Sequence, residues 1–267
     1  MWNFGHKKPS LGSAACQVLL AAEPTKKQSL SFSAVNSWKR GEFERPSVYS
    51  APPRFPATER KPKLVNPTAI PRRKGQSLES RVALLHSIAH IEYTAINLAW
   101  DIIVRFQIPK WPMSFYDDWV KVAADETKHF QLISERLQQL GYSYGDLPAH
   151  QGLWNAALDT YYDPIARLVK VPLCLEARAL DVTPGIIKRL KSAGDHISAE
   201  IIEKIAADEI EHVKIGWRWF NWLCKKNDFE PKEKFETVAK DFINAPPKPP
   251  FNKDARSKAG LPSFLSE

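Results

Sequence analysis

Apolar residues recur at helical spacing along most of this chain, and no segment shows the strict apolar–polar alternation that is typical of a β-strand. Two glycines, Gly141 and Gly194, follow helical runs at the position where a C-terminal cap is expected. The pattern predicts four long helical segments, namely 77–106, 114–140, 153–179 with breaks near Pro164 and Pro172, and 197–226. We therefore expect an all-α protein built on an antiparallel four-helix bundle.

Shorter helices are predicted over 11–22, 26–38, 184–193 and 233–242. Residues 44–75 carry prolines that exclude a helix and favour an extended strap, namely Pro46, Pro52, Pro53, Pro56, Pro62, Pro67 and Pro71. The predicted organisation has three parts. They are N-terminal helices with the Pro-rich strap over 1–75, the bundle over 76–228, and a C-terminal helix with a Pro-rich tail over 229–267.

Length and composition fit a single core with appendages, since 267 residues with 43% hydrophobic content can bury one substantial interior. Charges interrupt the apolar runs before the ~18 residues that a membrane span requires. The N-terminus lacks the layout of a signal peptide. Cys16, Cys174 and Cys224 are too few and too widely separated for a disulfide framework. We therefore expect a soluble, cytoplasmic protein with no membrane partner.

The positive charge is concentrated at one end of the chain. Residues 1–75 hold 14 Lys and Arg against 4 Asp and Glu, a net charge of +10, whereas the remainder has a net charge of −2. A solvated, basic wrap around the bundle is the favoured interpretation. Binding of RNA or another polyanion is the alternative. It is less favoured because the arm shows no recognised nucleic-acid module.

The sequence Ala-Ala-Asp-Glu-x-x-His occurs twice, at 123–129 and at 206–212. Each copy puts a carboxylate and an imidazole on one helix face, one turn apart. A lone Glu lies 34 residues before the first Glu of these motifs and 33 residues before the second. Bundles build dinuclear metal sites from two Glu-x-x-His turns and two further Glu. The predicted ligands are Glu92, Glu126, His129, Glu176, Glu209 and His212.

The surroundings of these carboxylates favour metal binding over a solvated surface role. Glu92 has Ile88, Ala89, Ala95 and Ile96 as its helical neighbours, so it lies on an apolar face. A buried carboxylate is costly unless it is paired, protonated or bound to a metal. Two divalent cations would balance four carboxylates, and mixed oxygen and imidazole ligands suit iron or manganese. We expect two metal ions, Fe/Fe in preference to Mn/Fe.

Other polar residues near the motifs receive supporting roles. Asp125 and Asp208 each precede a predicted ligand, and we expect each carboxylate to accept the second ring N–H of a metal-bound His. Helix capping or surface charge is the alternative for both. His86 and His90 point away from Glu92 on the helix and are interpreted as packing or surface residues.

With these residues identified, the chain resembles the ferritin-like superfamily of di-iron carboxylate proteins. More narrowly, it is similar to a family of ferritin-like proteins of unknown function that is compared with a tRNA-modifying monooxygenase. The resemblance covers most of the chain and implies the same six ligands, although Ala179 stands where the family has Gly. It is carried by Pro71-Arg-Arg, by 85–92, 124–129, 147–154, 175–182 and 208–213, and by Pro-Phe-Asn-Lys-Asp-Ala-Arg at 250–256.

The favoured function is an oxygen-activating di-iron oxidase or hydroxylase. Its expected partners are O₂, an electron donor that the sequence does not identify, and a small-molecule or tRNA substrate. Two alternatives stay open. One is a ferroxidase or metal-handling protein, and the other is a non-enzymatic interaction protein with a structural metal site. Fold alone does not choose among them.

Overall fold

The computed structural model describes residues 9–44, 51–70, 75–106, 111–243 and 248–266. Over these residues, regular secondary structure is helical apart from two isolated β-bridges, which confirms the all-α prediction. No described helix is both long enough and apolar enough to cross a membrane. Predictions for Pro46, Pro71, Pro109 and positions 245–247 of the Pro-rich tail fall outside the described residues.

Most of the helices lie close to their predicted positions, but the last one, in the C-terminal tail, was not predicted. The helices are α1 (Leu11–Leu20), α2 (Pro24–Lys39), α3 (Leu78–Arg105), α4 (Met113–Gln139), α5 (Gly152–Asp159), α6 (Pro164–Lys170), α7 (Ala177–Ser192), α8 (His196–Lys226), α9 (Pro231–Phe242) and α10 (Lys253–Lys258). A π-helical stretch, Val171–Glu176, joins α6 to α7 and is called the π segment below. Gly141 and Gly194 adopt φ of +83° and +73° after α4 and α7, so both predicted caps are confirmed.

The described residues divide into two compact units, one from Met1–Pro62 and His90–Gln131 and the other from Lys63–Ala89 and Leu132–Glu267. In the first unit, α1 packs against α2. The buried Lys27 Nζ donates to the carbonyl of Val18 at 2.6 Å and to that of Leu19 at 3.3 Å, closing the C-terminal end of α1. Desolvation lowers the pKa of Lys27 to about 7.

In the second unit, α7 and α8 form the most extensive helix pair, and α8 also packs against α6 and the π segment. The N-terminus of α8 is held by Asp195, whose buried carboxylate accepts the Ser198 N–H at 3.1 Å. The same carboxylate pairs with Arg81 at 2.6 Å and with Arg136 at 2.9 Å. Burial opposes its ionisation, but the Ser198 hydrogen bonds and the two guanidinium groups together lower the pKa of Asp195.

The prediction that a separate helix begins at Pro184 is wrong. Helix α7 continues through Pro184, which has no N–H for the carbonyl of Leu180 one turn earlier. That carbonyl instead accepts the Asn252 side-chain N–H at 3.1 Å. Because this replacement donor comes from about 70 residues further along the chain, the local rule that proline breaks a helix does not apply here.

Candidate metal centre

Glu92, Glu126 and His129 bring two helices to one point in the first unit. Glu92 comes from α3, and the other two residues stand one turn apart on α4. The Nδ1 atom of His129 is 3.2 Å from a Glu92 carboxylate oxygen and 3.5 Å from a Glu126 oxygen. All three residues are at most 5% exposed. Glu126 and His129 thus lie on the same face of α4, as the Glu-x-x-His spacing predicts.

The turn of α4 that carries these ligands is held by a buried chain of hydrogen bonds. Trp100 Nε1 donates to Ser31 Oγ at 2.8 Å. The Ser31 and Thr127 hydroxyl oxygens are 2.7 Å apart, and Thr127 donates to the carbonyl of Ala123 at 2.6 Å. Because the single hydroxyl hydrogen of Thr127 is donated to Ala123, Ser31 must be the donor in its hydrogen bond with Thr127. Thr127 directly follows Glu126, so these hydrogen bonds restrict the position of Glu126.

The protonation of His129 reflects its two carboxylate neighbours. Burial by itself lowers the pKa of the imidazole. Hydrogen bonds and charge from Glu126 and Glu92 outweigh that effect and raise the pKa of His129 to about 11. Without a metal ion, the ring is therefore a cation at neutral pH. A metal ion that binds Nδ1 would have to displace this proton.

The second Glu-x-x-His turn has the same local geometry in the second unit. Glu209 and His212 stand one turn apart on α8, with Nδ1 of His212 at 3.6 Å from a Glu209 oxygen. His212 is fully buried and Glu209 is 8% exposed. The matching distance in the first motif is 3.5 Å, so the repeated sequence folds into a repeated local structure.

Glu176 is the last residue of the π segment, which begins with the pair Val171 and Pro172. Pro172 has no N–H for the carbonyl one turn earlier, and a wider turn relieves the clash of its ring with that carbonyl. Gly216 faces Pro172 from α8. A Cβ atom on Gly216 would stand 2.4 Å from Pro172 Cβ, so only glycine allows this close approach. Gly216 lies one turn after His212, on the ligand-bearing face of α8.

Glu92, Glu126 and His129 form a buried group within the first unit, and their ligand atoms all lie within 4.8 Å of one another. The donor set, two carboxylates and one imidazole, is of the type that binds iron or manganese. Two carboxylates against one imidazole leave this group with an excess of negative charge, which a cation would neutralise. The residues therefore fit a metal ion, and the group could hold one.

The remaining predicted residues are placed as follows. Glu176, Glu209 and His212 belong to the second unit, and their roles as ligands stay predictions. Asp125 and Asp208 are half-buried, and Asp125 pairs with Lys121 at 2.8 Å. Their contact with a metal-bound His likewise stays a prediction.

His86 and Cys174 lie close to predicted ligands along the chain, but neither is among the residues grouped as a possible metal site. His86 is buried and accepts the Gly145 N–H at 2.9 Å, and burial lowers the pKa of its ring to about 4. The prediction that it is a packing residue is confirmed. Burial also raises the pKa of the Cys174 thiol to about 12, so this group is not a thiolate at neutral pH.

Sequence patterns did not identify the contacts of three residues that lie near predicted ligands in one unit or the other, namely Ser31, Gly216 and Arg256. Ser31 and Gly216 are small residues within helices, and their partners lie far away along the chain. Arg256 lies in a segment that the resemblance matched but to which it assigned no role. A basic residue within the otherwise polar stretch Asn-Lys-Asp-Ala-Arg gives no local sign of burial.

Comparison with known proteins places this chain in a family. A family model described as DUF455, protein of unknown function, matches residues 20–265. The chain is also 39% identical over 206 residues to a protein of Haemophilus influenzae described as uncharacterized, covering 75% of this chain and 72% of the other. No solved structure matches. The chain belongs to the DUF455 family.

Proposed function

We propose that this member of the DUF455 family is a dinuclear metal protein, with iron as the favoured metal, that activates O₂ to oxidise an organic substrate. The observations that carry the proposal are the buried group of Glu92, Glu126 and His129 in the first unit and the matching pair of Glu209 and His212 in the second. The proposed ligands are the six residues predicted above, which adds Glu176 to these five.

The electrostatics of the first unit support a bound cation. Two buried carboxylates there raise the pKa of His129 to about 11, which shows how strongly this environment favours positive charge. The proton on His129 supplies one such charge in the absence of metal. A divalent ion supplies two and can accept carboxylate oxygens and the imidazole nitrogen as direct ligands.

The duplication of the motif supports two ions. Glu126 with His129 and Glu209 with His212 show nearly equal distances, 3.5 and 3.6 Å, and each pair has a lone Glu at matched spacing upstream. The four-helix carboxylate sites of the ferritin-like class have this composition. Two ferrous ions bound in such a site would supply the electrons for the first two-electron reduction of O₂.

The residues of the chain have separable tasks in this proposal. Glu92 and Glu126 hold His129 in one orientation, and His129 carries a proton that metal binding releases. The buried hydroxyl pair of Ser31 and Thr127 fixes the turn of α4 that carries Glu126. The organic substrate stays undefined, and both a small molecule and tRNA are consistent with the proposal.

Metal content and O₂ consumption test the proposal. Apoprotein is loaded with Fe(II) without oxygen, the bound iron per chain is counted, and O₂ uptake is followed after mixing. Two irons per chain and a fixed, small number of O₂ molecules per chain are expected. Many irons per chain would favour metal storage, whereas one iron with no O₂ uptake would favour a structural metal.

Variants of single residues locate the site. Glu126→Ala and Glu209→Ala should each abolish dinuclear binding because each removes a buried carboxylate that the proposal assigns to the site. Asp208→Asn should weaken binding more mildly. Glu200→Ala is the matched control, since Glu200 is exposed on the same helix α8. Metal content in Glu209→Ala equal to that of the control would contradict the assignment.

A further inference from the structure

Arg256 is a charged residue buried inside the second unit. It lies in α10, is 1% exposed, and forms a two-pronged pair with Asp181 of α7, with both N–O distances at 2.8 Å. Its Nη1 group donates to the carbonyl of Leu265 at 2.6 Å, and its guanidinium lies 4.5 Å from the centre of the Phe251 ring. Arg256 therefore connects α7 with Phe251–Leu265, which we call the C-terminal segment.

The contacts of the C-terminal segment fall on the first turns of α7. Arg256 Nη2 is 3.5 Å from the carbonyl of Ala177, the residue directly after Glu176. The Asn252 main-chain N–H donates to Asp181 at 3.0 Å, and its side chain donates to the carbonyl of Leu180 at 3.1 Å. The second of these bonds supplies the donor that Pro184 removes from the helix. The start of α7 thus depends on hydrogen bonds from a distant part of the chain.

The other end of the π segment is held by α8. Pro172 packs on Gly216 so closely that a Cβ atom there would lie 2.4 Å from the ring carbon. The π segment is therefore fixed at its beginning by Gly216 and just beyond its end by Arg256. Glu176 is the last residue between these two points.

The geometry of the pair favours a positioning role. A planar guanidinium that binds a carboxylate through two parallel hydrogen bonds fixes direction as well as distance. A buried ion pair is weak evidence for stability, because desolvation of the two charges cancels much of their attraction. What this pair adds is a defined orientation for the first turn of α7, and hence for the residue that precedes it.

We propose that Arg256 is a positioning residue that acts through Asp181 and the start of α7 to hold Glu176 where it can bind a metal ion. The inference rests on the proposed function, because it assumes that Glu176 is a ligand. It assigns the C-terminal segment, which lies about 75 residues beyond Glu176, to the structural support of the site.

The test uses Co(II), which binds carboxylate and imidazole ligands and makes the measurement independent of any reaction with O₂. The full-length apoprotein is titrated with Co(II), and the number of sites and their affinities are obtained by calorimetry and visible absorption. The unmodified protein should bind two Co(II). Arg256→Gln should retain one site and weaken the other at least tenfold, as Glu176→Ala should. Lys258→Gln is the matched control, because Lys258 is an exposed cation on α10, the helix that carries Arg256, and should leave both sites unchanged.

A double variant distinguishes positioning of Glu176 from a general structural effect. If Arg256 acts through Glu176, Arg256→Gln combined with Glu176→Ala should bind no more weakly than Glu176→Ala alone. Further weakening in the double variant would overturn the inference. Unchanged affinity in Arg256→Gln would overturn it too and would leave the proposed function standing. An unmodified protein that binds no Co(II) would sink both.

If Arg256→Gln fails to fold, Arg256→Lys provides the test, since lysine keeps the charge but loses the two-pronged geometry. Faster amide hydrogen exchange over residues 171–177 is expected in this variant, together with a second-site affinity between those of the unmodified protein and Glu176→Ala. Exchange over these residues that matches that of Lys258→Gln would contradict the proposal.

Discussion

Replacing Gly216 by alanine tests whether close contact between α8 and the π segment holds Glu176 in place. The new Cβ atom would stand 2.4 Å from Pro172 Cβ and 2.7 Å from its Cγ. Ordinary contact between carbon atoms requires about 3.5–4.0 Å, so the overlap is at least about 1 Å. Neither the proline ring nor the helix backbone can rotate away. The π segment must therefore move.

The loss of stability caused by this overlap can be measured by comparison with an alanine variant at a second, uncrowded glycine. Overpacking of this kind costs about 1–3 kcal/mol, whereas replacing a helical glycine by alanine contributes about 1 kcal/mol of stability. Gly185 lies in α7 with no atom within 4 Å of the position its Cβ would take. Gly185→Ala should therefore show only the gain in stability that comes from the higher helix propensity of alanine. The difference in unfolding free energy between the two variants isolates the overlap.

Two measurements decide the outcome. Urea unfolding without metal should show Gly216→Ala to be less stable than Gly185→Ala by about 1–3 kcal/mol. Titration with Co(II) should show two sites in Gly185→Ala and a second site weakened at least tenfold in Gly216→Ala, because ligand distances tolerate only about 0.2 Å of error. Equal stability and equal affinity in the two variants would refute the claim that this contact positions Glu176.

Three further predictions concern ionisable groups. Because the pKa of His129 is raised to about 11, binding of a metal ion to Nδ1 at pH 7 should release about one proton. The heat of binding measured by calorimetry should therefore change with the ionisation enthalpy of the buffer. Equal heats of binding in different buffers would contradict this prediction. The pKa of Lys27 is about 7 in the folded protein and about 10.4 when unfolded, so the unfolded chain binds more protons between these values. Stability should therefore rise with pH over that range by up to about 1.4 kcal/mol per unit, and Lys27→Met should remove this slope in urea unfolding. Asp195→Ala should lower the free energy of unfolding by at least about 2 kcal/mol, since it leaves two arginines without their carboxylate and α8 without its N-terminal cap. Asp159→Ala, which breaks an exposed pair with Lys170, should lower it by less than about 1 kcal/mol.

Local features of this protein follow from its sequence. The helix ends at Gly141 and Gly194 need only a left-handed glycine after a periodic run. The pairing of Glu126 with His129 needs only helical spacing and neighbours that are apolar enough to bury both. In each case the interacting groups are close along the chain, so the pattern contains the whole interaction.

The features that the sequence does not disclose all join distant positions. Proline rules predict a helix start at Pro184, but the donor that keeps the helix intact comes from Asn252. A glycine such as Gly216 is visible within a helix, while its partner Pro172 is not. The hydroxyl pair of Ser31 and Thr127 spans 96 residues. Such contacts depend on how helices pack, which a single sequence does not specify.

The pair of Arg256 and Asp181 also affects the order in which parts of the protein can fold during synthesis. A ribosome adds about 5–20 residues per second, so Arg256 is synthesised roughly 4 to 16 s after Glu176. Both Glu-x-x-His motifs have been synthesised once His212 is added, 44 residues before Arg256, but the start of α7 then still lacks the hydrogen bonds that Arg256 and Asn252 provide. If Arg256 positions Glu176 as proposed, the full set of proposed ligands would become available only after the C-terminal segment has docked.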